Sequence, residues 1–500
     1  MEQKKTQKNR SVAVIGAGLG GISAAISLAA EGYSVEVYEK NNHLGGKLNI
    51  LQDKGFTFDL GPSILTMPHI FQRLFQKAGE RMEDHVPTVQ LELEWRTFFP
   101  DNRRIDLYND LELMDEENSE LTEKHRKELE RFMDYAREMY ELARPGYFEE
   151  GIDTTREAVK FYGLFKAFRG FDIFSSMDDV VSRHISSPHL QDLVNFFIKY
   201  VGSSPYRAPA VLTLLPYIQN EFGLWYIPGG MSRLAEGLEN IARKLGVEFN
   251  LNREIVGASL EEGRITSLQS RSAGKIEADI FVSNMEVIPF YRDITGEEQE
   301  FLSNYSSFEP ACSGYVLHLG VEKKYPQLQH HNFFFSSNPR KHFADVFKNY
   351  SLPEDPTIYL VAPSRTDRTV APEGCENLKI LPHIPYIQDE PFTASEYERL
   401  EERLLSKLEE MGLKGLRDNI IYRDVWRPED IRENYYSNRG AIYGVVADRQ
   451  KNRGFKAPKS SEKYDNLYFV GGSVNPGGGM PMVALSGQQV ADKISGDGDG

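Results

Sequence analysis

The sequence predicts an α/β fold whose Rossmann-like unit is shared between the two ends of the chain, and three observations carry that reading. A short apolar strand, a glycine turn, an alanine-rich helix and a second strand follow one another across Val12–Tyr38. A strand, a glycine turn and a helix recur at Leu467–Ile494. The stretch between them holds amphipathic and strand-like segments with no internal repeat and no long linker. Glycine-turn units at both ends with an α+β region between them imply a discontinuous first domain and a second domain inserted in it.

Val12–Ile15 is an unbroken apolar run of strand length, Gly21–Ala30 is an alanine-rich helical stretch, and Val35–Tyr38 alternates apolar with polar. Leu129, Phe132, Met133, Ala136, Met139 and Tyr140 recur at helical spacing, which predicts an amphipathic helix over Glu123–Arg144. Leu234–Leu245 reads as a further helix, followed by strands near Val247–Leu251, Ile265–Gln269 and Ile280–Val282. Leu467–Val470 reads as a buried strand that runs into Gly471–Gly479 and a helix over Met482–Ile494. The tail Ser495–Gly500 is predicted to be disordered.

Composition narrows the function classes. Five hundred residues, 40% hydrophobic, can bury two or three domain cores. The 58 basic and 74 acidic residues leave a net charge of −16, which repels phosphate backbones and speaks against nucleic acid as a partner. Cys312 and Cys375 are far apart in the sequence, which argues against a disulfide framework and fits a reducing cytoplasm. The basic start, MEQKKTQKNR, leads into a glycine-rich turn rather than a signal-peptide core. No apolar run approaches the roughly 18 residues of a membrane span, which leaves contact with one leaflet open.

Gly16-Ala-Gly18-Leu-Gly20-Gly21 matches G-x-G-x-x-G directly after the first strand. The first glycine permits a tight turn, the second lets backbone approach a pyrophosphate, and the third lets helix pack close to strand. The helix start adds N–H groups and a partial positive charge. Glu39 closes the second strand where a carboxylate can accept from ribose hydroxyls, and Lys40 follows it. The acid favours ADP-ribose with a free 2′-hydroxyl but does not separate NAD from FAD. Two loops do: His43-Leu-Gly45-Gly46-Lys47 and Phe58-Asp59-Leu-Gly61-Pro62-Ser63. Their small residues would let backbone lie against a flat group, although each alone also reads as an ordinary turn.

The C-terminal segment, Gly471-Gly472-Ser473-Val474-Asn475-Pro476-Gly477-Gly478-Gly479-Met480-Pro481, again places a helix start after a glycine turn. Such a start can aim N–H groups at an electron-rich oxygen, and the flavin N1–C2=O edge becomes negative on reduction. No second G-x-G-x-x-G occurs, so no built-in NAD(P)H module is predicted. FAD is the cofactor these segments predict together.

Other chemistry is missing. The eleven histidines are scattered, and the adjacent pair His330-His331 reads as surface. There are no repeated His boxes, no nucleophile elbow and no metal-ligand cluster with useful spacing. Cys312, within EPACSGYVLHLG, reads as part of a core strand.

The segments AVIGAGLGGISAAISLAAEGYSVEVYEKNNHLGGK, GFTFDLGPSILTMP, WYIPGGMSRLAEGLE, VSNMEVIP, WRPEDIRENYYSNRGAIYGV and VGGSVNPGGGMP resemble the phytoene-desaturase-like carotenoid flavoenzymes over essentially the whole chain. Desaturases of that family carry a Thr-His pair in the C-terminal glycine loop, where this chain has Val474-Asn475. That version, with YVGSS at Tyr200–Ser204 and HHNFFF at His330–Phe335, resembles the C30 carotenoid oxygenases of Gram-positive bacteria. The resemblance implies an FAD-binding domain of the amine-oxidase (GR2) type in three parts, residues 1–100, 222–290 and 425–500. A discontinuous α+β substrate region would take residues 101–221 and 291–424. It implies FAD-dependent oxidation of the terminal methyl of 4,4′-diaponeurosporene or diapolycopene to the aldehyde. A C30 or C40 desaturase is the runner-up. An amine oxidase and a redox-inactive lipid escort on the GDP-dissociation-inhibitor fold are more distant alternatives.

The candidate cofactor contacts are Gly16, Gly18, Gly20, Gly21, Glu39, Lys40, Gly45, Gly46, Lys47, Gly61, Pro62, Ser63, Val256, Gly472, Ser473, Gly479, Met480 and Pro481, with no metal. Asn475 and His331 are the candidate catalytic residues, His331 as an acid or base. The implied partners are a C30 carotenoid drawn from the membrane and molecular oxygen or an external electron acceptor. Phe161, Phe165, Phe168, Phe171 and Phe174, with Lys166 and Arg169 among them, read as a leaflet-dipping patch or tunnel mouth, with ordinary core as the alternative. The expected location is the cytoplasm, peripheral on the inner face of the cell membrane.

Overall fold

Four apolar residues in a row place the centre of the first sheet. Val12, Ala13, Val14 and Ile15 are all buried, so their strand needs cover on both faces, as parallel sheets provide. In the computed structural model, which describes residues 10–164, 166, 170–272 and 274–496, Ser11–Ile15 is the middle strand of a five-stranded parallel sheet. The order is Leu467–Phe469, Ile280–Ser283, Ser11–Ile15, Ser34–Tyr38 and Glu248–Asn250. Val14 is in register with Val37 on one side and Val282 on the other. Neighbours in this sheet are far apart in sequence, so the Rossmann-like unit is built from both ends of the chain and its middle.

Helix Leu19–Ala30 covers the sheet and begins two residues before the predicted start. The C-terminal helix, Met480–Gly496, packs against it and runs on to include Ser495 and Gly496. That corrects the expectation of a disordered tail from Ser495, while residues 497–500 lie outside the described residues. The helix continues because Ala491 and Ile494 stay buried and hold its last turn on the core. A three-stranded antiparallel sheet, Ile255–Glu261, Arg264–Ser270 and Gly274–Ile276, stands beside the parallel one.

The larger mixed sheet has eight strands. Its path is Ile420–Trp426, Val316–Val321, Glu376–Ile384, Ile358–Val361, His331–Phe334, Leu93–Phe98 and Arg104–Tyr108, with Ser313–Gly314 pairing onto Glu376–Ile384. Cys312 is buried and directly precedes that short strand. The amphipathic helix spans Glu123–Ala143, capped by the Thr122 hydroxyl, and buries Leu129, Phe132, Ala136, Met139 and Tyr140 as its spacing predicts. Arg144–Glu150 continues as a π-helical turn. Among the described residues no helix is long and apolar enough to cross a membrane.

Four loops leave the carboxyl ends of four adjacent parallel strands: Gly16–Gly18, Glu39–Asn41, Asn284–Glu286 and Gly471–Gly472. Ligands of open α/β sheets bind in the crevice at this edge. The two helices over the sheet meet at Gly487, where an added Cβ would lie 2.5 Å from the Gly20 oxygen and 2.6 Å from the Ala24 nitrogen. Gly487→Val is expected to destabilise the fold by about 1–3 kcal/mol through overpacking. Gly496→Ala, which meets nothing within 4 Å, is expected to change little. Thermal unfolding of both variants measures the difference, and equal melting temperatures would refute the close helix contact.

Candidate functional site

The crevice opens into one cavity of about 930 Å³, near the upper end of the roughly 300–1,000 Å³ typical of ligand sites. Its walls run from the glycine loop at Gly16 and Gly18 to aromatic residues at Phe171 and Phe174. Fourteen of the predicted cofactor residues line it: Gly16, Gly18, Glu39, Lys40, Gly45, Gly46, Lys47, Gly61, Pro62, Ser63, Gly472, Gly479, Met480 and Pro481.

The first loop is held from below. Gly16 has φ +89 and its N–H donates to the Tyr38 oxygen at 2.8 Å. A Cβ on Gly21 would lie 2.1 Å from the Gly16 oxygen, so this glycine lets the helix close down on the turn. Gly18 caps helix Leu19–Ala30 without a side-chain acceptor, and no acid stands in the first turn. The helix therefore presents an uncompensated positive end to the cavity, suited to a pyrophosphate. The Glu39 carboxylate is buried and accepts from Ala17 N–H and Asn41 N–H, both at 2.8 Å. It braces the loop, and an ionised carboxylate has lone pairs left for ribose hydroxyls.

The second and third loops touch the first through backbone. Gly45 N–H donates to the Ala17 oxygen at 2.8 Å, and a Cβ on Gly46 would lie 3.1 Å from the Gly18 Cα. A Cβ on Gly61 would lie 1.8 Å from the Lys47 oxygen. These are therefore not ordinary turns, because a larger residue would force the loops apart. Lys47, half-buried, donates to the Ala441 and Ile442 oxygens at 3.3 and 3.1 Å. Lys40 donates to the Glu433 oxygen at 2.5 Å and lies over the Tyr436 ring.

Four predicted contacts do not line the cavity: three pack behind its surface and one points outward. Gly20 and Gly21 pack against Asn284, whose Oδ1 accepts from Gly21 N–H at 3.1 Å. Ser473 Oγ accepts from Val287 N–H at 3.2 Å. Val256 is 40% exposed. Strand alternation sends Val256 outward while Glu254 and Ile255 reach the cavity.

Both catalytic candidates are placed off the cavity wall. Asn475 is buried, and its Oδ1 accepts from Tyr147 OH at 3.1 Å and Lys456 N–H at 3.0 Å. Its Nδ2 donates to the Asp153 oxygen at 3.0 Å. With donor and acceptor both engaged, the amide serves as a cross-link, and Val474 beside it packs in the core. Pro476 is the neighbour that reaches the cavity. His331 is fully buried in strand His331–Phe334, with Nδ1 2.9 Å from the Tyr359 hydroxyl. The surface reading of His330-His331 is thus corrected: both rings are buried, and desolvation with each other's charge holds the His331 imidazole neutral. Tyr359, rather than His331, lines the cavity.

Sequence reasoning missed three buried lysines on the cavity, Lys199, Lys379 and Lys456. Lys379 donates to the Gly61 oxygen and to Ser63 Oγ, and burial lowers it to about 8 against the opposing pull of Asp59. Asp59 is raised by burial to about 6 and accepts from Met231 N–H at 2.7 Å. Lys456 donates to the Val445 oxygen and is lowered by burial to about 7. The signal was available: FFIKYVG and NLKILPHI each place one lysine inside an apolar run. Asn284, within VSNMEVIP, was also missed as the residue that joins the first and last loops.

Comparison with known proteins agrees with this geometry. The family model of flavin-containing amine oxidoreductases matches residues 19–495. The chain is 54% identical over 490 residues to a 4,4′-diapolycopene oxygenase of Methylomonas sp, covering 98% of this chain and 99% of the relative. It is 51% identical over 496 residues to a 4,4′-diaponeurosporene oxygenase of Staphylococcus haemolyticus, covering 99% and 98%. A crystal structure of an oxidoreductase from Methanosarcina mazei superposes with a TM-score of 0.65 at 16% identity, covering 96% of this chain and 100% of that one, and shares the fold. FAD is the cofactor, as the loops predict. The chain belongs to the family of flavin-containing amine oxidoreductases.

Proposed function

We propose that this chain is an FAD-dependent carotenoid oxygenase that converts the terminal methyl of a C30 carotenoid to the aldehyde. The observation that carries the reading is the single cavity that joins the glycine loops to an apolar, aromatic-lined extension. A rigid polyene gains roughly 25 cal/mol per Å² of apolar surface buried, so such a space needs few polar contacts to hold it. The two relatives named as oxygenases of C30 carotenoids support the substrate class.

In this reading the backbone around Gly16 and Gly18 would hold the FAD pyrophosphate and Glu39 the ribose, while Gly45–Lys47, Gly61–Ser63 and Gly479–Pro481 would hold the isoalloxazine. Bound FAD supplies two-electron redox chemistry at the terminal methyl, with oxygen or another acceptor to close the cycle. The protein excludes water from the polyene, and burial, which lowers the basicity of Lys199, favours its neutral amine there. A neutral amine does not repel positive charge that develops along the conjugated chain.

Contact with one membrane leaflet belongs to the same proposal. Phe161, Leu164 and Phe174 are 47%, 66% and 81% exposed, while Phe171, Ile173 and Phe174 line the cavity. Exposed apolar residues at the mouth of a cavity are where an insoluble polyene would enter from a bilayer. Phe165, Phe168 and Arg169 lie outside the described residues.

Incubation with 4,4′-diaponeurosporene under air is expected to yield an aldehyde, read by absorption and mass. Products that gain only double bonds would make the chain a desaturase. Gly61→Ala is expected to weaken FAD retention at least about tenfold, roughly 1.4 kcal/mol, because its Cβ would displace the Lys47 carbonyl. Flavin absorbance per folded polypeptide measures it, and full retention would remove this loop from the FAD site. Phe174→Glu with Leu164→Glu is expected to cut sedimentation with lipid vesicles about tenfold or more, each side chain giving up ~1.5–3 kcal/mol of burial. Unchanged sedimentation would dismiss the leaflet contact.

A further inference from the structure

Of the three buried lysines on the cavity, Lys199 stands in a different environment from the other two. Lys379 and Lys456 donate to backbone oxygens. Among the described residues Lys199 has no hydrogen-bond or carboxylate partner. Its Nζ lies among four rings, 4.1 Å from the centroid of Tyr200, 4.7 Å from Trp95, 4.8 Å from Tyr359 and 5.2 Å from Phe333. Desolvation lowers its basicity well below that of an ordinary lysine, which favours the free amine over the ammonium. A desolvated lysine in an apolar pocket is the usual setting for attack on a carbonyl.

Its position matches the end of the substrate that would be oxidised. A Cβ on Gly479, in the C-terminal glycine loop, would lie 3.6 Å from the oxygen of Tyr200, the residue after Lys199. On the other side, Lys199 and Lys379 both bear on His331, and Lys379 holds the Gly61–Ser63 loop. Lys199 thus lines the cavity, and its backbone neighbour Tyr200 borders the Gly479 loop assigned to the isoalloxazine.

We propose that Lys199 is a covalent capture site for a polyene aldehyde, binding it reversibly as an imine. This rests on the oxygenase reading, since the aldehyde is the product of that chemistry. The Nζ lone pair adds to the aldehyde carbon, and the carbonyl π pair takes up the proton that nitrogen gives up. The resulting carbinolamine loses one water to form the C=N bond. No oxidant or reductant is consumed, and one water returns the free aldehyde and the amine. The aldehyde is thereby held in the cavity until water reaches the imine.

The test supplies the aldehyde directly, so that turnover is not required. Purified holoenzyme is incubated with an apocarotenal, a C30 polyene with one terminal aldehyde, and treated with sodium borohydride. Reduction should fix one polyene per chain, and peptide mapping should place it on Lys199, on the order of tenfold above all other lysines together. Lys199→Met should lose the adduct, while Lys379→Met and Lys456→Met should keep it. The wild-type peptide map decides the matter even where a variant fails to fold. No adduct, an adduct on another lysine, or no uptake of the aldehyde overturns the proposal. Conversion of the methyl-ended carotenoid is scored separately. Aldehyde formation without any adduct removes the imine alone, and an adduct without conversion removes the oxygenase reading alone.

Discussion

The constraint on which the site depends is direct backbone contact between loops that are distant in sequence. Gly61 rests on the Lys47 carbonyl and Gly478 on the Tyr443 carbonyl at separations that leave no room for a Cβ, and Gly46 rests on Gly18 where a Cβ would be tight. Asn284 ties the arrangement together: its side chain touches Gly18, Gly20 and Gly471, and its amide oxygen holds Gly21 N–H. These contacts set the width of the crevice at the carboxyl edge of the parallel sheet, and so where a flat cofactor can lie. They also explain the discontinuity of the chain. The loops meet because their strands are neighbours in one sheet, with Ile280–Ser283 between Ser11–Ile15 and Leu467–Phe469.

The electrostatics of the cavity follow from its depth. Four lysines on the cavity, Lys199, Lys379 and Lys456 buried and Lys47 half-buried, would be an intolerable concentration of charge in an apolar space if all were protonated. Burial resolves this by pulling their basicities down, and carbonyl oxygens accept from three of the four. Carboxylates oppose that fall at two of them, Glu286 at Lys47 and Asp59 at Lys379. The fourth, Lys199, has only ring faces, which favour a cation weakly and cannot repay full desolvation. One wall of the cavity therefore combines hydrogen-bonded amines with a free nucleophile, a distinction created by neighbours rather than by residue type.

How much was legible in the sequence depends on whether the signal was local. The glycine loop, Glu39 and the strands around them could be read because turn geometry, strand alternation and helix starts are written in consecutive residues. The glycine-dense loops at Gly45 and Gly61 were noticed, but what makes them necessary is a backbone on the opposite side of the crevice. Asn475 stood out by its place in a glycine-rich turn, yet its amide is consumed by Asp153, Tyr147 and Lys456, none of them near it in sequence except Lys456. His331 was judged from a polar-looking dipeptide. Its strand lies inside the large sheet, so the imidazole is buried and meets the cavity only through its hydrogen bond to Tyr359. Val256 fell on the wrong side of a strand by one residue, the smallest error a period of two allows.

The exposed rim and the net charge act together. A surface carrying −16 resists adsorption to anionic lipid headgroups, so attraction to a bilayer must come from apolar residues. Phe161, Leu164 and Phe174 are exposed within one short segment; Phe174 lines the cavity, and Phe161 packs on Tyr162, which lines it too. Under the proposed leaflet contact, charge repulsion elsewhere would orient the molecule with this edge inward. The same orientation would turn the cavity toward the hydrocarbon phase, where a polyene dissolves. Entry of the substrate and exclusion of water would then be served by one feature, since an apolar rim seated in lipid is closed to the aqueous side while it is open to the membrane.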